Sequence, residues 1–420
     1  MSGASYMGVR YAVRTNHSVQ NATSKTSVST TRRINRTEER PIAVDLFSGV
    51  GGFSLGFEQA GYDVVAAVDS EKKHVETYLR NFPSCIARCL DLSSVSGEQL
   101  RNDLGIGRKH IDVILAGPPC QGFSLIGKRI PGDPRNLLLS ELARLIAELA
   151  PSYFVVENVA GILFGNAKES LDTFVRHVEA AGYAVVKPIQ VLDAAEFGVP
   201  QRRRRVFVLG HMSGTPSPRY PKPSNPYDKM GNNDGPKIWD AISDLPRIAS
   251  YEYLRETDAY HGALGKPTTY AKTMRGDVAD PEDFSARRNR NGNGLSGCMR
   301  TSHTAKTISR FEKTQQGCCE EVSRFYRLHK NGLAPTLRAG TGPAQGSFMA
   351  PRPIHPFQDR CITVREAARL QSFPDWFSFH STKWHAFRQI GNSVPPLLAR
   401  AVAKSLLRAL EESGIEYRGV

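Results

Sequence analysis

Apolar positions cluster early in this chain into short continuous blocks separated by longer amphipathic stretches. Residues 42–46 (IAVDL) form the first block and read as a strand. The chain then runs through Phe47-Ser48-Gly49-Val50-Gly51-Gly52 into a helix-period stretch that reaches about Ala60. A second strand is predicted over 64–68, ending at Asp69, with a helix over 72–81. A third covers 86–90 and ends at Asp91, a fourth covers 111–116, and a fifth covers 153–156. Apolar runs of this kind suit strands buried on both faces of a parallel sheet. An apolar crossover helix over 136–150, a helix over 167–181, and strands near 184–192 and 206–210 complete the pattern. Strand alternating with helix predicts an α/β fold with a Rossmann-like open sheet.

The texture changes after about residue 212. From there to 360, Pro, Gly, Asn, Ser and Arg are frequent and long periodic segments disappear. Asn291-Gly292-Asn293-Gly294 and Gly340-Thr341-Gly342-Pro343 are loop signals. Helical period returns over 363–371 and 395–410. Residues 1–40 are rich in Ser, Thr, Asn and Arg and carry no apolar period, so a flexible tail is expected. The expected organisation is a tail (1–40), a catalytic and cofactor-binding domain (41–211), a smaller loop-rich domain (212–385) and a C-terminal return to the first domain (386–420). A length of 420 residues suits two domains.

Charge narrows the partner. The net charge is +14 and the sequence pI is near 9.5, which favours a polyanion, with double-stranded DNA the leading choice. No run of eighteen apolar residues is present and the N-terminus has no apolar h-region, so no membrane partner and a cytoplasmic, nucleoid-associated location are expected. The seven cysteines are odd in number and irregular in spacing, which gives neither a disulfide framework nor a zinc pattern, and no metal is expected.

The candidate chemistry sits where strands end. Phe47-x-Gly49-x-Gly51 is a glycine turn between strand and helix, as in a nucleotide cradle, although its spacing is not that of a dinucleotide fingerprint. Asp69 suits either a ribose diol or the cap of the following helix. Asp91 is placed to accept a hydrogen bond at the same sheet edge. The fourth strand delivers Gly117-Pro118-Pro119-Cys120-Gln121-Gly122-Phe123-Ser124, in which Cys120 is a candidate nucleophile. The fifth delivers Glu157-Asn158-Val159. In the arginine run 202–205 strand alternation puts Arg203 and Arg205 on one side, while Arg202 and Arg204 read as solvated or phosphate-facing.

Taken together, Pro118-Pro119-Cys120-Gln121, the Phe47 turn and Glu157-Asn158-Val159 resemble the DNA (cytosine-5) methyltransferases. Further matches follow in the family's order: Gln201-x-Arg203-x-Arg205, then Arg365-Glu366-Ala367-Ala368-Arg369-Leu370-Gln371-Ser372-Phe373-Pro374, then Gly391-Asn392-Ser393-Val394. The set spans most of residues 42–405 and is similar to the compact bacterial modification enzymes.

The resemblance implies S-adenosyl-L-methionine as methyl donor. Phe47, Gly49, Gly51, Asp69, Asp91, Pro118, Asn392 and Ser393 would bind it. Cys120, Glu157, Arg203 and Arg205 would be catalytic. Cys120 would add to C6 of a flipped cytosine, Glu157 would meet N3 and the exocyclic amine, and Arg205 would hold O2, with Arg203 supporting the pocket. Residues 121–135 would close as a lid, and 212–360 would recognise the target. A restriction-modification role, a cognate restriction endonuclease acting at the same site and a monomeric state go with that type. One departure stands out: many relatives carry a bulky aromatic after the ribose carboxylate, where this chain has Ser70, so either adenine stacking comes from elsewhere, with Leu92 and Phe47 the candidates, or cofactor affinity is lower. A tRNA cytosine-5 methyltransferase is the alternative within the fold, but the Cys-Phe-Thr tripeptide of that branch is absent. A catalytically silent DNA-binding regulator is the alternative outside catalysis.

Overall fold

The computed structural model describes residues 40–119, 137–287, 294–340 and 352–413. Cys120, the 121–135 lid, the tail up to residue 39 and the loop signals at 291–293 and 341–343 lie outside the described residues.

The first half of the chain is a near-regular alternation: β1 (Ile42–Leu46), α1 (Gly52–Glu58), β2 (Asp63–Asp69), α2 (Lys72–Asn81), β3 (Ile86–Cys89), α3 (Gly97–Asp103), β4 (Val113–Ala116), α4 (Leu137–Leu149), β5 (Tyr153–Val159) and α5 (Asn166–Ala180). Then come β6 (Tyr183–Val185), β7 (Gln190–Asp193) and β8 (Arg204–Met212). The described strands form one eight-stranded sheet in the order β3-β2-β1-β4-β5-β8-β6, with β7 also pairing β8. Strands β1 to β5 are parallel, and β8 runs antiparallel to β5. The fold is the Rossmann-like α/β sheet expected from the apolar blocks. The single stretch expected near 184–192 is two strands, because Pro188 has no N–H to give to a ladder.

Strand alternation divides the apolar side chains between two cores. Ala43, Val113, Leu115, Tyr153, Val155, Phe207 and Leu209 face one core, and Val44, Leu46, Ile114, Phe154, Val156 and Val208 face the other. The second core is closed by α4 and α5. The first is closed by α1, α2 and helices from the far end of the chain: α6 (Ile238–Ile242), α7 (Thr269–Arg275), α9 (Val364–Leu370), α10 (Lys383–Asn392) and α11 (Pro396–Glu412). The remaining α8 (Ala305–Lys313) packs Phe311 into a small satellite cluster with Ile354 and Cys361. Helices α1 and α11 approach so closely at Gly56 that a Cβ there would overlap Ala399. The first and last described helices are thereby locked over the same sheet face.

Buried ion pairs order the region behind α9. Arg369 donates to both carboxylate oxygens of Asp375 (2.6 and 2.7 Å) and to Asp244 at 3.2 Å. Arg365 donates to the Ser296, Pro374 and Phe377 carbonyls at 2.8 to 3.0 Å. Both arginines of the Arg365–Pro374 motif are therefore structural. Thr363 and Glu366 form a capping box, and Glu366 also takes a bidentate pair from Arg360 at 2.7 and 2.9 Å. Burial alone would push the Glu366 carboxyl up, but the Arg360 guanidinium outweighs it and holds the group at about 2.

A stability prediction follows. A carboxylate with a depressed folded-state pKa contributes stability above its ordinary range and loses it as pH falls, here between about 4.5 and about 2. Glu366→Gln should destabilise the fold by about 3–5 kcal/mol at neutral pH, because Arg360 is left buried without its partner. It should also flatten that acid limb in urea titrations. A wild-type acid limb in the variant would show that the pair contributes nothing.

Candidate active site

The site is built on the edge where the parallel strands end, which is where open α/β sheets bind ligands. After β1 the backbone makes a turn with three residues at positive φ: Phe47 (64°), Gly49 (55°) and Gly51 (93°). For Phe47 this is a sparsely populated conformation, of the kind held at ligand clamps. The glycines serve different ends. A Cβ on Gly49 would meet nothing within 4 Å, so this position opens onto space. A Cβ on Gly51 would overlap the rings of Phe82 and Tyr78, so Gly51 is required for packing.

Asp69 holds the turn. Its Oδ2 accepts from the Gly49 N–H at 2.9 Å, and its Oδ1 accepts from the Glu71 N–H at 2.8 Å. His74 Nδ1 lies 3.1 Å from the same Oδ1. A carboxylate offers about four acceptor positions. With three used, Oδ2 retains room for one ribose hydroxyl rather than two. Asp69 does not cap α2, whose N-cap residue is Glu71. Asp91, after β3, is exposed, and its Oδ1 accepts from the Ser93 N–H and hydroxyl at 3.0 and 2.8 Å. Leu92 is 3% exposed in the core, so it has no face for adenine stacking. Phe47 is half-buried at the turn.

On the next strands, β5 and β8 pair so that Val159 opposes Arg205. Glu157 is therefore the diagonal neighbour of Arg205 on one face, within reach of long side chains. Arg205 Nε lies 2.9 Å from Glu157 Oε1. Burial raises the Glu157 pKa, and the guanidiniums of Arg205 and Arg203 oppose that rise without cancelling it. Glu157 Oε2 points instead toward Gly117, 3.8 Å from where a Cβ would stand there. That oxygen faces the loop that carries Cys120 three residues later. Asn158 pins the loop by donating from Nδ2 to the buried Pro118 carbonyl at 3.3 Å. The sequence reading gave Asn158 no task of its own, and the only signal was its place beside Glu157.

The arginine run alternates as expected: Arg202 and Arg204 are exposed and Arg203 is buried. Arg203 donates to the Gly391 and Ser393 carbonyls at 2.8 and 2.9 Å and to the Leu337 carbonyl at 3.2 Å. It ties the start of β8 to the turn after α10. Asn392 is exposed at the end of α10. Ser393 is buried, and its hydroxyl donates to the Gln389 carbonyl at 2.7 Å. A Cβ on Gly52 would overlap the Val394 carbonyl and touch Ser393, so the 393–394 turn packs directly on the start of α1. Segments more than three hundred residues apart meet at one edge.

This constellation has counterparts. Residues 42–408 match the family described as C-5 cytosine-specific DNA methylase. The chain belongs to that family. The Type II methyltransferase M.XorII of Xanthomonas oryzae pv. oryzae is 48% identical over 373 residues, covering 89% of this chain and 86% of the relative. M.AgeI of Thalassovita gelatinovora is 32% identical over 87% of this chain and 99% of its own length. An Escherichia coli crystal structure, described as a DNA modification methyltransferase encoded within a prophage, superposes with a TM-score of 0.70 at 33% identity. It is matched over 88% of this chain and 99% of its own. Dnmt2 of S. pombe shares the fold alone, with a TM-score of 0.52 at 17% identity. In this cytosine-5 methylase the edge residues fit a nucleoside-bearing methyl donor. Gly49 opens space beside the strained Phe47, and Asp69 and Asp91 each keep an acceptor oxygen for it.

Proposed function

We propose that this protein methylates C5 of a specific cytosine in duplex DNA, using S-adenosyl-L-methionine and a transient bond between Cys120 and C6. The observation that carries the reading is the Glu157–Arg205 pair at 2.9 Å, with the second Glu157 oxygen turned toward the loop of Cys120. Phe47, Gly49, Asp69, Asp91, Pro118 and Asn392 would hold the donor, which supplies a methyl group made electrophilic by its sulfonium centre. Gly51, Ser393 and Arg203 serve the same site by fixing the turns that carry those residues.

The chain's own chemistry follows from the reluctance of cytosine C5 to act as a nucleophile. The Cys120 thiolate adds to C6. The displaced ring electrons move toward C5, and N3 takes a proton or a strong hydrogen bond from Glu157. Arg205 steadies the charge that develops on O2. C5 then accepts the methyl group. A base takes the C5 proton, the electron pair of that C–H bond re-forms the C5–C6 double bond and expels the Cys120 thiolate, and N3 returns its proton to Glu157. A free thiol is only about 3% ionised at pH 7, so the site must favour the thiolate or couple its formation to addition.

A base inside a duplex is out of reach of such a pocket and must be rotated out, at a few kcal/mol. Residues 121–135 serve as the closing lid, and 212–385 as the target-recognition domain. The protein acts as a monomer within a restriction-modification system, with a cognate endonuclease reading the same site. Incubation with duplex DNA and donor, followed by nucleoside mass spectrometry, should give 5-methylcytosine. Methyl groups confined to RNA, or absent from several DNA substrates, would overturn the reading.

A further inference from the structure

A cleft of about 600 Å³ opens between the start of α2 and the first turns of α10, with Arg352 closing its far side. It lies apart from the Glu157–Arg205 pocket: β2, which leads into α2, is separated from β5 by β1 and β4. Its walls carry Lys73, Arg352 and Arg388, with Lys383 adjoining, and Glu71 is the only carboxylate among the described residues that line it.

The charges are left uncompensated. Among the described residues no carboxylate forms an ion pair with Lys73, Arg352, Lys383 or Arg388. The arginines of α9 are the contrast, since Arg369 is closed by Asp244 and Asp375.

Here cations gather instead. The Lys73 ammonium lies 2.9 Å from His385 Nε2, so the imidazole accepts from it and is neutral. Burial, then Lys73, His380 and Arg388, push the His385 pKa down. Burial and Arg352 do the same to Lys383. The guanidiniums are held in place by aromatic rings, Arg352 over Phe387 at 4.7 Å and Arg388 over Trp384 at 5.5 Å. Half-buried cations, fixed in orientation and without a carboxylate ion-pair partner among the described residues, are unfavourable in the free protein and become favourable when an oxyanion enters.

We propose that this cleft binds a backbone phosphate of the DNA substrate, on one side of the target cytosine, as an anchor separate from the base pocket. The proposal rests on duplex DNA being the substrate. Phosphate contacts fix register and carry no sequence information.

The test measures DNA affinity against KCl concentration for the wild type and for Lys73→Gln/Arg388→Gln. Each phosphate contact contributes about 0.9 to the slope of log K against log salt, so the double variant, which removes this one contact, should lose about 0.9. The loss should be equal for target and non-target duplexes, with donor affinity unchanged and the melting temperature not lowered. A duplex truncated on that side, so that no phosphate reaches the cleft, should bind both proteins alike. If the double change lowers the melting temperature, Arg388→Gln alone should still reduce the slope, by less than the whole contact's value of about 0.9. Parallel salt lines for wild type and variants overturn the proposal. So does calorimetric binding of inorganic triphosphate that the variants lose while their DNA slope stays wild-type, because the cleft would then serve a free phosphorylated molecule. Unchanged slopes in a protein that still forms 5-methylcytosine would remove this anchor alone, whereas absence of 5-methylcytosine would remove the underlying reading.

Discussion

Glu157→Gln should leave a folded, DNA-binding protein whose single-turnover methyl transfer is slower by about 10²–10⁴-fold. The amide keeps the size of the carboxyl and can still offer an N–H to cytosine N3, but it cannot deliver a proton. The wild-type group is suited to that task because burial raises its pKa, against the pull of Arg205 and Arg203. The sign is definite: a carboxyl that acts in its protonated form loses activity as pH rises through its raised pKa. The cysteine acts as thiolate and gains activity over the same direction, so the wild-type profile should be bell-shaped, with both limbs belonging to the coupled pair. Glu157→Gln should lose the alkaline limb. A variant that transfers methyl groups at the wild-type rate would remove Glu157 from the reaction.

Cys120→Ser should lower transfer by at least about 10³-fold while retaining DNA affinity. A serine hydroxyl is a far weaker nucleophile without an adjacent base to activate it, and the proposed site assigns no such base to it. The retained affinity is as informative as the lost rate, since phosphate contacts, not the nucleophile, carry most of the binding energy. Substantial turnover by Cys120→Ser would mean that addition to C6 uses another group.

Much of the fold was legible because strands β1 to β5 are buried on both faces and so appear as unbroken apolar runs. Their polar terminators, Asp69, Asp91 and Glu157, fall at one edge because parallel strands all end there. The antiparallel pairing of β5 with β8 was not legible. It sets Val159 against Arg205 and so brings Glu157 within reach of the guanidinium, and register of that kind depends on tertiary packing. The sequence did not reveal that Asp69 spends three acceptor positions on its own turn and on His74, or that a Cβ at Gly51 would overlap Tyr78 and Phe82. Helix α10 was missed for a related reason. Its sequence, KWHAFRQIGN, is rich in weak helix formers. The helix is held from outside, by Gln389 donating to Thr77 and by Gly391 lying against the 338–339 backbone. The arginines of 202–205 were separable by alternation alone, but the destination of Arg203, the carbonyls of a turn nearly two hundred residues later, was not.

The central claim, a covalent bond between Cys120 and cytosine C6, is tested most directly with a duplex whose target cytosine carries fluorine at C5. Fluorine cannot depart as a proton does, so the double bond cannot re-form and the thiolate cannot be expelled. With the methyl donor present, a complex stable to denaturant should form, and digestion should place the nucleotide on the peptide containing Cys120. A reaction that methylates ordinary DNA yet yields no such complex, or an adduct on another residue, would contradict the mechanism.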